Sequence, residues 1–247
     1  MIPACGQATR LSPTPCSKEI YPIGLRYSEV LGKTIPMVVS DCLLEYFAKA
    51  GISQAIFVIR NDKTDIPRYF EKRKDLPVHL DFIHKESSPG APYTLDFAYE
   101  YVAGKITALG FPDILMRPAD AFKPVIDKLV GNEALDIALG LFPIERKYSW
   151  DMVEFDQDEV RKIHVKPQDT HLTYGWTIAA WKPSFASFMH DYLAKTAVPN
   201  RELYIGHVLQ AAMDDGLKAG CALFPEGACI DLGKPEDLSA VYRTPVF

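Results

Sequence analysis

The order of apolar and polar positions gives the chain two differently patterned halves. In the first, strands alternate with helices. MIPAC is a short apolar strand that runs into Gly6. Residues 36–50 read as a helix, because Val39, Leu43 and Phe47 recur one turn apart on one face. Gly51 stands where a helix C-terminal glycine belongs. AIFVI (55–59) is a continuous apolar run of the kind buried on both faces. Residues 66–74 form a short helix with Asp65 as its cap, and HLDFIH alternates as a strand. Residues 92–102 are a helix with proline in its first turn, ITALG is the next buried strand, and Asp120 caps a helix that runs to Val130. This βαβα order predicts a Rossmann-like α/β fold, a mainly parallel sheet with helices on both faces. Ligands of such sheets bind beyond the carboxyl ends of the strands. In the second half DIALGLF, DMVEFD, EVRKIHV and GWTIAAW read as strands with little helix between them, which brings in antiparallel pairing. Helices return at 183–194 and 202–215, and no linker composition separates the halves. One mixed domain over 1–247 is the expected organisation.

Composition narrows the class. A chain of 247 residues, 48% of them hydrophobic, can bury a sizeable core. Lys and Arg number 27 against 32 Asp and Glu, a formal net charge of −5. That balance excludes a broad nucleic-acid surface but leaves room for a local basic cleft. Five cysteines, with no CxxC spacing, read as reduced thiols. No apolar run approaches the roughly 20 residues of a membrane span, and no signal peptide precedes the first motif. A cytoplasmic protein without nucleic-acid or membrane partners is expected. The six histidines are scattered without metal-ligand spacing.

The candidate chemistry begins at Gly6 to Lys18, GQATRLSPTPCSK. It follows a strand, so it sits at a strand's carboxyl end. Gly6 lets the backbone approach a ligand, and successive backbone N–H groups there can face phosphate oxygens. Arg10 offers a planar fork and Lys18 a movable charge, both suited to phosphate.

A strand running into this loop, then a lysine and a tyrosine–proline pair, resembles the sugar-nucleotide pyrophosphorylases. These include glucose-1-phosphate thymidylyl- and uridylyltransferases. EIYPIG, the helix ending KAGI, AIFVI, SSPGAPYTLDFA, LGFPD, VEFD, VKP, YGWTIAAW and IDLGKPEDL follow in the family's order, so the resemblance covers nearly the whole chain. It implies the glycosyltransferase-A-like nucleotidyltransferase fold, with a nucleotide-binding part over about 1–130 and an acceptor-binding part over about 131–247. It also implies a nucleoside triphosphate and a phosphorylated small molecule as partners, magnesium as cofactor, and leaves homo-oligomers open. Catalytic roles fall on Arg10 and Lys18. Nucleotide contacts fall on Ala4, Gly6, Gln7, Ala8 and Thr9 of the loop, and on Glu86, Ser87 and Gly90. The family's Gly-Asp magnesium ligand matches Asp113, with Phe111 and Pro112 inserted after Gly110 and Asp120 as the alternative. The second acid matches Asp231, and Lys234 stands where threonine is usual.

On the acceptor side the resemblance points to Glu154, Lys166, Tyr174, Gly175 and Trp176. The glutamate that precedes the lysine in the family is Val165 here, and an apolar group accepts no hydroxyl hydrogen bond. Asp151 stands where related chains often carry glycine. Residues 25–32 look like an insertion. The expected reaction is in-line attack of the acceptor phosphate on the α-phosphorus of the nucleotide, with pyrophosphate leaving. The alternatives are a cytidylyltransferase acting on a non-sugar phosphate and a catalytically silent nucleotide-binding regulatory homologue.

Overall fold

The structure is a computed structural model that describes residues 1–196 and 202–243. In chain order the first half comprises β1 (Ile2–Ala4), a long loop with one 3₁₀ turn (Lys18–Ile20), β2 (Pro22–Ser28), β3 (Lys33–Val38), α1 (Val39–Lys49), β4 (Gln54–Arg60), α2 (Asp65–Glu71), β5 (His79–Lys85), α3 (Ala91–Asp96), α4 (Tyr99–Val102), β6 (Thr107–Leu109), β7 (Ile114–Arg117) and α5 (Phe122–Gly131). The second adds β8 (Ile137–Pro143), β9 (Met152–Asp156), β10 (Glu159–His164), β11 (Tyr174–Trp181), α6 (Pro183–Lys195), α7 (Ile205–Asp214), β12 (Ala219–Leu223), β13 (Ala228–Asp231) and α8 (Pro235–Arg243).

The apolar runs pair as their pattern demands. β1, β4 and β5 form a parallel sheet. β6-β11-β8-β12-β10-β9 form a six-stranded sheet in which only β8 and β12 run parallel. The Gly110 N–H donates to Met1 O at 3.1 Å, so β6 continues beside β1 and the two sheets join edge to edge. Alternate residues of one strand serve opposite cores. Phe57 of β4 belongs to the core cluster that holds Leu43, Phe47 and Phe122, while Val58 belongs to the one that holds Leu95, Leu139 and Trp181. Helices α1 and α5 therefore cover one face, and α3, α6 and α7 the other. The mixed α/β architecture is as read, its parallel pairing concentrated in the first half.

Local differences have local causes. The helix expected over 36–50 starts at Val39, because Lys33–Val38 pairs antiparallel with Pro22–Ser28. Ile35 and Val38 are buried by that hairpin, and proline at 36 biases the residue before it toward extended backbone. The apparent insertion at 25–32 is the hairpin's tip and flanks. The helix expected over 92–102 breaks between Asp96 and Tyr99 into α3 and α4. The helix expected over 202–215 begins at Ile205. Asp65 is the first residue of α2 and the cap position falls at Thr64; the Asp65 carboxylate accepts instead from Ser17 N at 2.7 Å and Ser17 Oγ at 2.8 Å.

Candidate active site

The register Ala4↔Ile59 and Arg60↔Lys85 aligns β1, β4 and β5, so their carboxyl ends share one edge. The loop after β1 and the segment 86–90 after β5 both leave from that edge. They enclose a cavity of about 360 Å³ lined by Gly6, Gln7, Lys18, Ser87, Gly90 and Asp113. Six residues singled out from sequence thus face one space. Ala4 is buried at the end of β1, and Glu86 and Thr9 are exposed outside the lining. The left-handed residue of the loop is Ala8 (φ 50°) rather than Gly6, and Ala8 O accepts from the N–H groups of Leu11 and Ser12 at 2.9 and 3.1 Å. The far end of the loop is fixed by the Ser17–Asp65 bonds. Glu19, Arg60, Ser88 and Glu202 also line the cavity. Glu19 is wholly buried, and its Oε1 accepts from Lys63 Nζ at 2.7 Å. Burial pushes its carboxyl up. Sequence offered no signal for that pair, whose members lie 44 positions apart.

The two acids meet through strand pairing. β13 runs antiparallel to β7 with Asp231 opposite Ile114, and the Leu232 N–H donates to Asp113 O at 2.8 Å. Asp113 is thereby brought beside Asp231, while Asp120 lies exposed beyond the other end of β7. Lys18 Nζ donates to Asp113 Oδ2 in an ion pair with 19% and 14% of the side chains exposed. Burial opposes charge on both partners. Their mutual attraction prevails, raising the Lys18 pKa and holding the Asp113 carboxyl below its ordinary value. Asp231 is pushed up to about 6 by burial and by the neighbouring Asp113 charge, against the pull of Lys18 and Arg10. The Arg10 guanidinium lies against Gly233, two residues past Asp231. Arg10 and Asp231 line a separate cavity, of about 410 Å³, with Arg146 and Lys234.

The residues that the sequence reading expected on an acceptor side lie further along. Lys166, in left-handed backbone (φ 41°), holds its Nζ 3.4 Å from the ring centroid of Tyr204. Burial draws its pKa down; the charges acting on it include Asp151 and Glu202 as well as Arg10 and Asp231. Trp176 is 4% exposed and its ring lies 6.1 Å from that of Phe111, which lines the cavity between the loop and Gly90. Gly175 is buried, and Tyr174 packs edge-on to Phe155 at 5.6 Å. Glu154 stands apart, 56% exposed on β9 beside His164. Tyr204 and Asp151 are additions that sequence reading did not place here. Among the described residues no cluster of three or more His, Cys, Asp or Glu side chains could hold a metal, and no helix is long and apolar enough to cross a membrane.

The fold is thus a mixed α/β one in which a loop at the carboxyl edge of parallel strands brings a lysine to two acids. The chain belongs to the nucleotidyl transferase family, whose sequence profile matches residues 1–244. Solved structures share the fold at low identity. A Bacillus anthracis protein assigned as a glucose-1-phosphate thymidylyltransferase aligns with TM-score 0.81 and 14% identity, over 98% of this chain and 92% of that one. The UTP-bound UGPase of Acinetobacter baumannii gives 0.79 and 15%, over 98% and 90%. The inositol-1-phosphate CTP transferase of T. maritima gives 0.74 and 20%, over 98% and 92%. No curated protein sequence matches the chain.

Proposed function

We propose that this enzyme transfers a nucleotidyl group from a nucleoside triphosphate to a sugar 1-phosphate and releases pyrophosphate. The observation that carries the reading is the cluster of Lys18 and Asp113, which line the cavity between the loop and Gly90, with Asp231 and Arg10, which line the second cavity. A phosphate oxygen of the acceptor attacks the α-phosphorus in line; the bond from that phosphorus to the bridging oxygen breaks, and pyrophosphate carries the electron pair away. The acceptor phosphate is already ionised near neutral pH, so catalysis rests on positioning and charge stabilisation. Arg10 steadies the α-phosphate and the leaving pyrophosphate. Lys18 draws the two reacting phosphates together, and Lys166 holds the acceptor phosphate.

Two half-buried carboxylates side by side, one of them pushed up to about 6 by burial and by the other, form an oxygen donor set that a magnesium ion sharing phosphate oxygens fits. Asp113 and Asp231 would hold it. Bound there, the ion would neutralise charge on the phosphates that otherwise repel.

Val165 favours a second reading, a cytidylyltransferase whose acceptor is not a sugar. Pyrophosphate release measured with four nucleotides and a panel of phosphorylated acceptors separates the two. With the productive pair, Lys18→Ala is expected to lower turnover about 100- to 1000-fold. Turnover with none of the pairs, or normal turnover in Lys18→Ala, would sink the reading.

A further inference from the structure

The lysine assigned to the acceptor phosphate is held by a ring rather than by an acid. Lys166 follows β10 in left-handed backbone, and its Nζ sits 3.4 Å from the centroid of the Tyr204 ring. Among the described residues that ammonium makes no ion pair. Asp151 is the foremost charge acting on it, yet the Asp151 carboxylate takes the Lys166 backbone N–H and the Trp176 indole as its partners. The acid therefore fixes the main chain of Lys166, and the ring is left to fix its charge.

Tyr204 is itself locked in place at the start of α7. Its N–H donates to His207 Nδ1 at 3.1 Å, its carbonyl accepts from His207 N at 3.1 Å, and the two rings stack with centroids 5.8 Å apart. Its hydroxyl bonds the Glu202 side chain, and Glu202 lines the cavity between the loop and Gly90. The ring that carries Lys166 is thus tied back to that cavity.

A ring face attracts an ammonium through its quadrupole and carries no net charge of its own. A carboxylate in the same place would hold the lysine as well but would neutralise it, and an arriving phosphate would have to displace it. An ammonium has three donors, and a ring on one side leaves the rest for phosphate oxygens. Burial draws the Lys166 pKa down; Asp151, Glu202 and Asp231 oppose that and Arg10 adds to it. An attraction felt only by the charged form works against the burial.

We propose that Tyr204 is a positioning residue, whose ring face holds the Lys166 ammonium in place with its charge uncompensated for the acceptor phosphate. This rests on the transferase reading above, and the experiment separates the two.

Initial rates are measured with four nucleoside triphosphates against glucose 1-phosphate and inositol 1-phosphate, and the fastest wild-type pair is carried to the variants. Tyr204→Phe keeps the ring and should stay close to wild type. Tyr204→Leu should lower kcat/KM for the acceptor about 3- to 30-fold, the range of one cation–π contact, with nucleotide affinity by calorimetry unchanged. Fluorinated phenylalanines at 204 keep the ring's shape while draining its face of charge, so the loss should grow with each fluorine even if Tyr204→Leu fails to fold. In a Lys166→Met background Tyr204→Leu should cost nothing further, because the ring acts through that ammonium. The alkaline limb of the acceptor kcat/KM should move to lower pH in Tyr204→Leu and stay in Tyr204→Phe, since burial is then less opposed. Tyr204→Glu should move the limb to higher pH yet raise the acceptor KM, because its carboxylate competes with the phosphate. A rate indifferent to fluorination, a Tyr204→Leu loss as large without Lys166 as with it, or an unmoved alkaline limb would overturn the assignment and leave Tyr204 a packing residue at the start of α7. Absence of wild-type turnover with every pair would instead overturn the transferase reading, and this inference with it.

Discussion

At Gly233 an added Cβ would fall 2.6 Å from Arg10 Nη2 and 3.0 Å from Asp231 Oδ1. Nothing else about that position demands glycine. The contact partner is the far end of a flexible arginine, so Gly233→Ala can fold by pushing the guanidinium aside. The expected result is a melting temperature close to wild type and turnover lowered about 10- to 100-fold, a fraction of what a lost transition-state donor costs. Thermal melting and steady-state rates on the same preparation check it; an unchanged rate would remove Arg10 from the proposed role. At this scale the sequence was readable where a motif has a fixed spacing. Gly6, Arg10, Lys18 and Asp231 could be named from GQATRLSPTPCSK and IDLGKPEDL. The Glu19–Lys63 pair could not, because its members lie 44 positions apart and meet only in the fold.

Between elements, two carboxylate ties fix what the loops can do. The first is Asp65 of α2, which accepts both Ser17 bonds and so anchors the end of the loop after β1 to a helix. Asp65→Ala should weaken nucleotide binding about tenfold, roughly the value of a charge-assisted bond, with kcat less affected. Titration calorimetry with the productive nucleotide measures it. The second tie joins the hairpin, α1 and the end of α2. Asp75 accepts from Arg73 Nε at 2.5 Å and from Arg26 Nη2 at 2.9 Å, and Arg73 Nη1 also reaches Asp41 at 3.2 Å. Asp75 and Arg73 are 3% and 7% exposed. The Arg73 hydrogen bonds hold the Asp75 carboxyl below its ordinary value. A depressed folded-state pKa means stability that is complete above the unfolded value near 3.9 and lost as pH falls through the folded one. Asp75→Asn should therefore cost about 2 kcal/mol at pH 7, and its deficit should shrink below about pH 4. Urea titrations of both proteins across that range show whether the gap closes. Neither tie was legible in the sequence. Asp65 looked like a helix cap by position, and the hairpin read as an insertion because its strands pair with each other and add no strand to the main sheet.

For the whole molecule, the candidate site lies where a parallel half meets an antiparallel one. The strand pattern announced that change of pairing, and the βαβα order announced which strand ends would carry the loop. What it could not announce was that β13 would return to lie beside β7, since IDLGKPEDL shows no strand periodicity over its few residues. That one pairing sets Asp231 next to Asp113 from 118 positions away. A second crossing joins the halves at Gly90, where an added Cβ would come 2.8 Å from Leu203 O. Sequence reading assigned Gly90 to the nucleobase; the fold gives it a further reason, because the backbone that leads into α7 passes directly over it. Gly90→Ala cannot be relieved by a side-chain rotation, since the obstacle is backbone. The Leu203 segment must move, and with it Tyr204, on whose ring Lys166 rests. Overpacking of this kind costs about 1–3 kcal/mol, which lowers the melting temperature of a chain this long by several degrees. The kinetic signature is more telling than the loss of stability. If Gly90 served only the base, Gly90→Ala would raise the nucleotide KM alone. Because the displaced segment carries Tyr204, the acceptor KM should rise as well, and a comparison of both constants in the folded variant decides between a local contact and a seam that holds the two halves in register.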